Sequence, residues 1–247
     1  MMWTFSPWVL LPPIYSLCTA AGLWIVYFLA VWDKKIVPLG SQAWKINESL
    51  YPPFISVAGN FPPVSCLFSE VMNLAAFGGF IIAVLRYLQL RPRVNKAWLN
   101  VVSLVTFSVA CFGMTLVGNV QVFTQMKVHD FGTCLTFGVG SIFCWLQSYI
   151  TLKVNLMKEG KKVAIVRFLL SGIITVCIVL YFSLASQHLY MQAAQCQWLL
   201  VMFLLLFISS LAIDFRHSRF FVTCSENSDH MTSEFLPEES RSELKQL

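Results

Sequence analysis

Six long apolar blocks, none with a Lys or Arg at its middle, constrain this chain more than any other feature. They run about Val9–Trp32, Leu67–Gln89, Trp98–Val120, Phe131–Leu152, Val163–Ser186 and Ala193–Ile213. At about 1.5 Å of rise per residue, a helix of ~20 residues crosses the ~30 Å hydrocarbon core of a bilayer. Hydrocarbon offers no partner to backbone N–H and C=O groups, so each block must satisfy its own as a helix. Composition agrees. Of the 247 residues 57% are apolar and 12% charged, against roughly 45–50% and 25% in a soluble domain. An ordinary water-soluble enzyme, a disordered chain and a nucleic-acid partner are excluded on this ground.

The first block is expected to be a retained helix, although it could be mistaken for a signal peptide. It lacks a basic leader, exceeds the usual apolar length and offers no convincing small-residue cleavage site. Pro12 and Pro13 fall in its first turn, where a missing N–H costs little.

An even number of spans puts both termini on one side. If that side is the cytoplasm, thirteen of the 17 Lys and Arg lie inside. They are Arg86, Arg91, Arg93 and Lys96 around the second link; Lys153, Lys158, Lys161, Lys162 and Arg167 around the fourth; and Arg216, Arg219, Arg241 and Lys245 in the tail. Lys34, Lys35, Lys45 and Lys127 remain outside, the first two as a local exception. Positive-inside counting therefore places both termini in the cytoplasm. The sequon Asn47-Glu48-Ser49 then falls in the first outer loop, which makes Asn47 a glycosylation candidate.

The expected fold is an all-α integral membrane protein: a six-transmembrane-helix bundle with an ordered Pro-rich first extracellular loop. Residues 1–220 form the membrane domain. Residues 221–247 form an acidic, Ser-rich tail expected to be disordered. Two Pro-Pro pairs, Pro52-Pro53 and Pro62-Pro63, oppose helix in the loop, and Gly59 between them permits a tight turn. The loop should form a fixed cap on the bundle.

Eight cysteines show no CxxC or zinc-type spacing, so neither a metal nor a cofactor is expected. Cys66 and Cys196 fall near one face of the membrane and are a candidate disulfide pair. Cys224, just beyond the basic-aromatic strip Asp214–Phe221, is a candidate for palmitoylation.

Polar groups gather near the outer boundary: Glu70, Asn73, Asn119, Gln121, His129 and Asp130. If three helix ends converged, His129, Asp130 and Glu70 would make an acid–base or metal cluster for lipid-headgroup chemistry. A structural network capping helix ends is the favoured reading. No G-x-S-x-G, H-E-x-x-H or P-loop pattern supports catalysis, and no enzyme is expected. Small residues recur every fourth position as Ala75, Gly79 and Ala83, and as Thr136, Gly140, Cys144 and Ser148. Such faces let helices approach closely in lipid. Intramolecular packing is favoured for them, with pore lining or contact between copies as alternatives.

Several runs resemble the damage-regulated autophagy modulator (DRAM) family of six-span membrane proteins. They are Pro53-Phe54-Ile55-Ser56, Gly59, Pro62-Pro63, Ser65, Phe68 and Asn73, then Gly118-Asn119-Val120-Gln121, and His129 with Gly132. Val120 stands where the family usually has Phe, and Cys196-Gln197-Trp198 departs from its common Cys-Glu-Trp. The resemblance covers about residues 8–220. Ala21–Phe28, Phe112–Leu116, Leu152–Asn155 and Phe215–His217 are similar to a branch tied to slowly adapting, mechanically activated cation currents at the plasma membrane. The resemblance thus implies a component or modulator of a mechanosensitive channel. Its partners would be membrane lipids and either another channel or further copies of itself. Other branches are linked to autophagy at lysosomes and to anchoring of phosphoinositide kinases.

Overall fold

Helix boundaries follow the punctuation of the sequence. The computed structural model describes residues 6–41, 50–154, 160–216 and 218. A short 3-10 turn, Pro7–Leu10, runs into α1 (Leu11–Trp32), with Pro12 and Pro13 in its first turn. α1 stops where Lys34 takes φ 53°, which lets the Lys35 N–H reach back to the carbonyl of Ala30 at 3.0 Å. α2 (Ile55–Ala58) is one turn between the two Pro-Pro pairs. α3 (Val64–Leu90) starts directly after Pro63. α4 (Ala97–Asn119) follows a short link. α5 (Met126–Cys134) continues through a π-helical stretch, Leu135–Val139, into α6 (Gly140–Val154). α7 (Gly160–Ser186), α8 (Tyr190–Ser209) and the turn α9 (Ala212–Phe215) complete the order. Among the described residues the only β pairing is an isolated bridge between Ile36 and Tyr51.

Among the described residues six helical runs are long and apolar enough to cross a membrane: Pro7–Trp32, Val64–Leu90, Ala97–Asn119, Met126–Val154, Gly160–Ser186 and Tyr190–Phe215. The fourth begins well before Phe131, because α5 carries Lys127, His129 and Asp130 as a direct extension of the span. Packing closes a ring, with α1 on α3, α3 on α4, α4 on α6, α6 on α7, α7 on α8 and α8 back on α1. The exterior is apolar where lipid would lie. Phe77 is 66% exposed, Leu169 64% and Trp98 59%. A soluble protein does not present so continuous a band of large apolar side chains.

The Ser6 N–H donates to the carbonyl of Arg216 at 3.3 Å, so the two described ends meet on one face, called here the terminal face. The long α1–α3 link covers the opposite, cap face. Asn47, Cys224 and the 221–247 tail lie outside the described residues. Cys66 and Cys196 are separate free thiols and form no disulfide. Cys66 points outward from the first turn of α3 and is exposed, whereas Cys196 lies on α8 near Cys177 of α7.

Candidate functional site

The helices surround a partly open cavity of about 110 Å³, lined from α1, α2, α3, α4, the α5–α6 run and α8. The lining is almost wholly apolar, with Phe68, Met72, Phe107, Phe137 and Phe143 among its walls. Apolar cavities of roughly this size stay dry and accept hydrocarbon. Small residues make the room. Ala75, Thr136, Gly140 and Cys144 all line the cavity. Gly79 instead faces Cys111 and Tyr15, and Ser148 pairs with Ser171 of α7 at 3.2 Å. The π-helical stretch supplies Thr136 and Phe137, so the local over-wide turn lies at the cavity wall. Such bulges are frequent at functional positions.

The cap borders the cavity from above, with Ile55 and Ser56 in its wall. The Ile55 N–H, at the start of α2, donates to Gln197 Oε1 of α8 at 2.9 Å. Trp198 Nε1 donates to the carbonyl of Pro53 at 3.0 Å. Its indole stacks on Trp24 of α1 with centroids 4.3 Å apart, and Tyr27 meets it edge-on at 5.4 Å. The Tyr27 hydroxyl accepts from the Leu39 N–H at 2.7 Å. Farther out, Tyr51, Phe61 and Phe123 form an aromatic group, and Asn60 Oδ1 accepts from the Phe123 N–H at 3.1 Å. Proline explains this economy. Its fixed φ holds the link extended, and the backbone groups it frees at Pro53 and Ile55 are met by α8 side chains. Gln197 is 4% exposed. Gln197→Leu leaves a buried N–H without its acceptor, at a cost of about 1–3 kcal/mol. Faster hydrogen exchange at the Ile55 amide, with exchange in α7 unchanged, is the expected result. Gln197→Glu keeps an acceptor and should retain protection.

Below the cavity the interior becomes polar and ionic. Phe143 stacks on Phe107 at 4.2 Å and meets Phe207 at 6.3 Å, and beneath them lie Arg86 and Arg167, at 1% and 0% exposure. Both face Asp214, whose Oδ2 stands 2.6 Å from Arg167 Nη2 and 3.2 Å from Arg86 Nη2. The first contact is also an aligned hydrogen bond. The second is an ion pair whose angle makes no hydrogen bond. Arg86 also donates to Gln147 at 3.0 Å and Gln89 at 2.6 Å. Arg167 donates to Thr151 at 2.6 Å and to Ser210 Oγ at 3.0 Å. Gln147 passes the chain to Ser103 at 2.6 Å, and Gln89 donates to the Asp214 carbonyl at 2.6 Å. One cluster therefore ties α3, α4, α6, α7 and the end of α8.

This cluster corrects the reading of Arg86 and Arg167 as link charges. Both sit about a turn or two inside their helices, with side chains turned into the bundle. Their distance from the span centres hid them, since a basic residue near a helix end ordinarily reaches for the headgroups. The available signal was Asp214, an acid directly after the last apolar block that the structure shows to lie within the sixth helical run, where it requires a partner.

The cap-face polar residues divide instead of converging. Asn73 and Asn119 exchange amide hydrogen bonds at 3.0 Å each way, and the Ser69 hydroxyl donates to Asn119 Oδ1 at 2.5 Å. His129 is 2% exposed and donates from Nδ1 to the carbonyl of Val120 at 2.6 Å, which ties α5 to the end of α4. Gln121 accepts from Thr124 at 3.4 Å, within its own turn. Glu70 and Asp130 are exposed. No group of His, Cys, Asp or Glu among the described residues is placed to hold a metal.

The geometry defines a class: an all-α, six-span membrane protein with a capped apolar cavity above a buried ion cluster. The chain belongs to the Frag1/DRAM/Sfk1/Cwh43P family, whose N-terminal domain it matches over residues 7–218. Its relatives include modulator of macroautophagy TMEM150B of Xenopus tropicalis, 34% identical over 216 residues, which is 87% of this chain and 88% of that protein. TMEM150B of Bos taurus is 33% identical over 216 residues, 87% of each chain. Transmembrane protein 150A of Homo sapiens is 31% identical over 230 residues, 85% of this chain and 84% of that protein. No solved structure matches the chain.

Proposed function

We propose that this chain is a non-catalytic, multi-pass membrane modulator of autophagy. The observation that carries this reading is its likeness to relatives named as modulators of macroautophagy, which extends over 87% of this chain and 88% of the Xenopus tropicalis protein. The geometry is compatible with it. Buried polar side chains bond to one another and to backbone, and the cavity is shaped for hydrocarbon rather than for a reacting polar group. The bundle acts on this reading as a rigid membrane body. With Arg86 and Arg167 set aside, the positive-inside count still supports cytoplasmic termini on this reading. Deleting the protein should change turnover of the lipidated autophagosome marker, measured with and without a block of lysosomal degradation. The wild-type chain should restore it. Unchanged flux in a cell type that expresses the protein would remove the proposal.

A second reading, a component or modulator of a mechanosensitive cation channel at the plasma membrane, draws on the cavity lined by Ala75, Thr136, Gly140 and Cys144. The stacked Phe107 and Phe143 rings and the ion cluster fill the path below that cavity in a single copy. On this reading the bundle tunes a partner channel or opens under tension. Purified protein alone in liposomes, recorded under graded suction, separates the two. Tension-dependent cation openings absent from empty liposomes would assign a pore, and silence with folded protein would leave the modulator.

A further inference from the structure

Three basic side chains outside the buried cluster, Arg93, Lys96 and Lys153, meet around a second pocket of about 270 Å³ on the terminal face. All three are exposed. Both ion pairs among the described residues belong to Asp214, so none of the three is paired with a carboxylate there. Three cations gathered with no carboxylate paired to them among the described residues repel one another, and the site gains from a negative ligand. The pocket is also amphipathic. Its floor is Val94, Leu99, Ile150 and Val154, part of a small apolar cluster around the fully buried Leu90. Lys153 Nζ lies 5.6 Å from the Tyr149 ring, which holds the ammonium at the rim.

Helix geometry adds to the charge. Lys96 is the residue before α4, a helix of 23 residues whose N-terminus has no side-chain cap. Its first N–H groups and the positive end of its dipole thus open beside the lysine. Asn100 fixes the arrangement by donating to the Tyr87 carbonyl at 2.9 Å, which holds the start of α4 against the end of α3. Next to the pocket Trp98 is 59% exposed, as aromatic residues are at the headgroup level of a membrane.

We propose that this pocket binds the phosphate of a lipid headgroup, with a multiply charged phosphate preferred. The three cations and the helix end would hold the phosphate oxygens. The apolar floor would receive the glycerol end of the acyl chains, which free phosphate lacks. Basic pockets between spans on the cytoplasmic side suit such headgroups.

The test uses the full chain in detergent and measures binding of short-chain phosphatidic acid by native mass spectrometry. Short-chain phosphatidylcholine is the comparison and inorganic phosphate the competitor. Arg93→Ala/Lys96→Ala/Lys153→Ala should weaken phosphatidic acid binding at least about tenfold. Arg91→Ala/Lys161→Ala/Lys162→Ala removes the same charge from exposed positions outside the pocket and should change it less than about twofold. Lys153→Glu alone gives a second readout with the same expected direction. Equal losses in the two triple variants would overturn the proposal. So would equal binding of phosphatidylcholine, or displacement of the lipid by inorganic phosphate at matched concentration.

Discussion

Asp214→Ala is expected to abolish most folded protein, measured as the monodisperse fraction in detergent and by thermal unfolding. The side chain is 5% exposed and is the carboxylate facing two guanidinium groups. Its removal leaves both Arg86 and Arg167 buried without a counter-charge. Stranding one buried charge costs about 3–5 kcal/mol, a large part of the stability of a typical domain. The cluster carries two positive charges and one negative, which sets the order of related variants. Arg86→Met leaves Arg167 and Asp214 as a neutral pair and should be the mildest change. Arg167→Met leaves a neutral pair as well, but forfeits the shorter contact and the bonds to Thr151 and Ser210. It should therefore fall between the other two. If Asp214→Ala proves no worse than Arg86→Met, the cluster does not hold these helices together.

Gly113→Ala is the second change with a large expected effect. A Cβ at Gly113 would stand 2.7 Å from the Gly132 carbonyl oxygen and 2.8 Å from the Thr136 nitrogen. Both are backbone, so the clash is relieved only by moving α5 and the π-helical stretch away from α4. The reverse contact is as close, since a Cβ at Gly132 would meet the Gly113 oxygen at 3.0 Å and Leu116 Cβ at 2.9 Å. Overpacking of this kind costs about 1–3 kcal/mol, and Gly113→Leu should exceed it. Gly172→Ala is the control. Nothing lies within 4 Å of its Cβ position in α7. There the gain in helix propensity, ~0.5–1 kcal/mol, should leave stability equal or raised. Thermal unfolding of the three variants beside the wild type decides the matter. A loss at Gly172→Ala as large as at Gly113→Ala would mean that close approach is not the cause.

The Gly113–Gly132 crossing shows why helix contacts were only partly legible. The four-residue repeats 75/79/83 and 136/140/144/148 stand out in a linear sequence, because that spacing puts their members on one face. Those residues are at or beside the interior, four of them around the cavity. The closest approach of backbone to a glycine among the described residues lies elsewhere, at two solitary glycines on neighbouring helices. A lone glycine carries no period, so only the packed pair reveals it.

The sequence by itself determined the medium and the number of spans. Lengths of uninterrupted apolar residues fix the number of spans, because hydrocarbon tolerates little backbone besides helix. Prolines set where α1 and α3 begin, through a backbone restriction that acts locally. Which polar groups meet was decided by tertiary structure alone. Glu70, His129 and Asp130 share one end of the bundle yet do not form a site. Asp214, Arg86 and Arg167 are separated by much of the chain yet share one oxygen atom. Gln197 stands in the sequence as one polar residue near the start of the last apolar block, and becomes the acceptor that seats the cap only when α8 stands beside α2. The physical reason is that apolar burial depends on composition along a stretch, whereas a hydrogen bond or ion pair depends on distance and angle between atoms that only the packed bundle brings together.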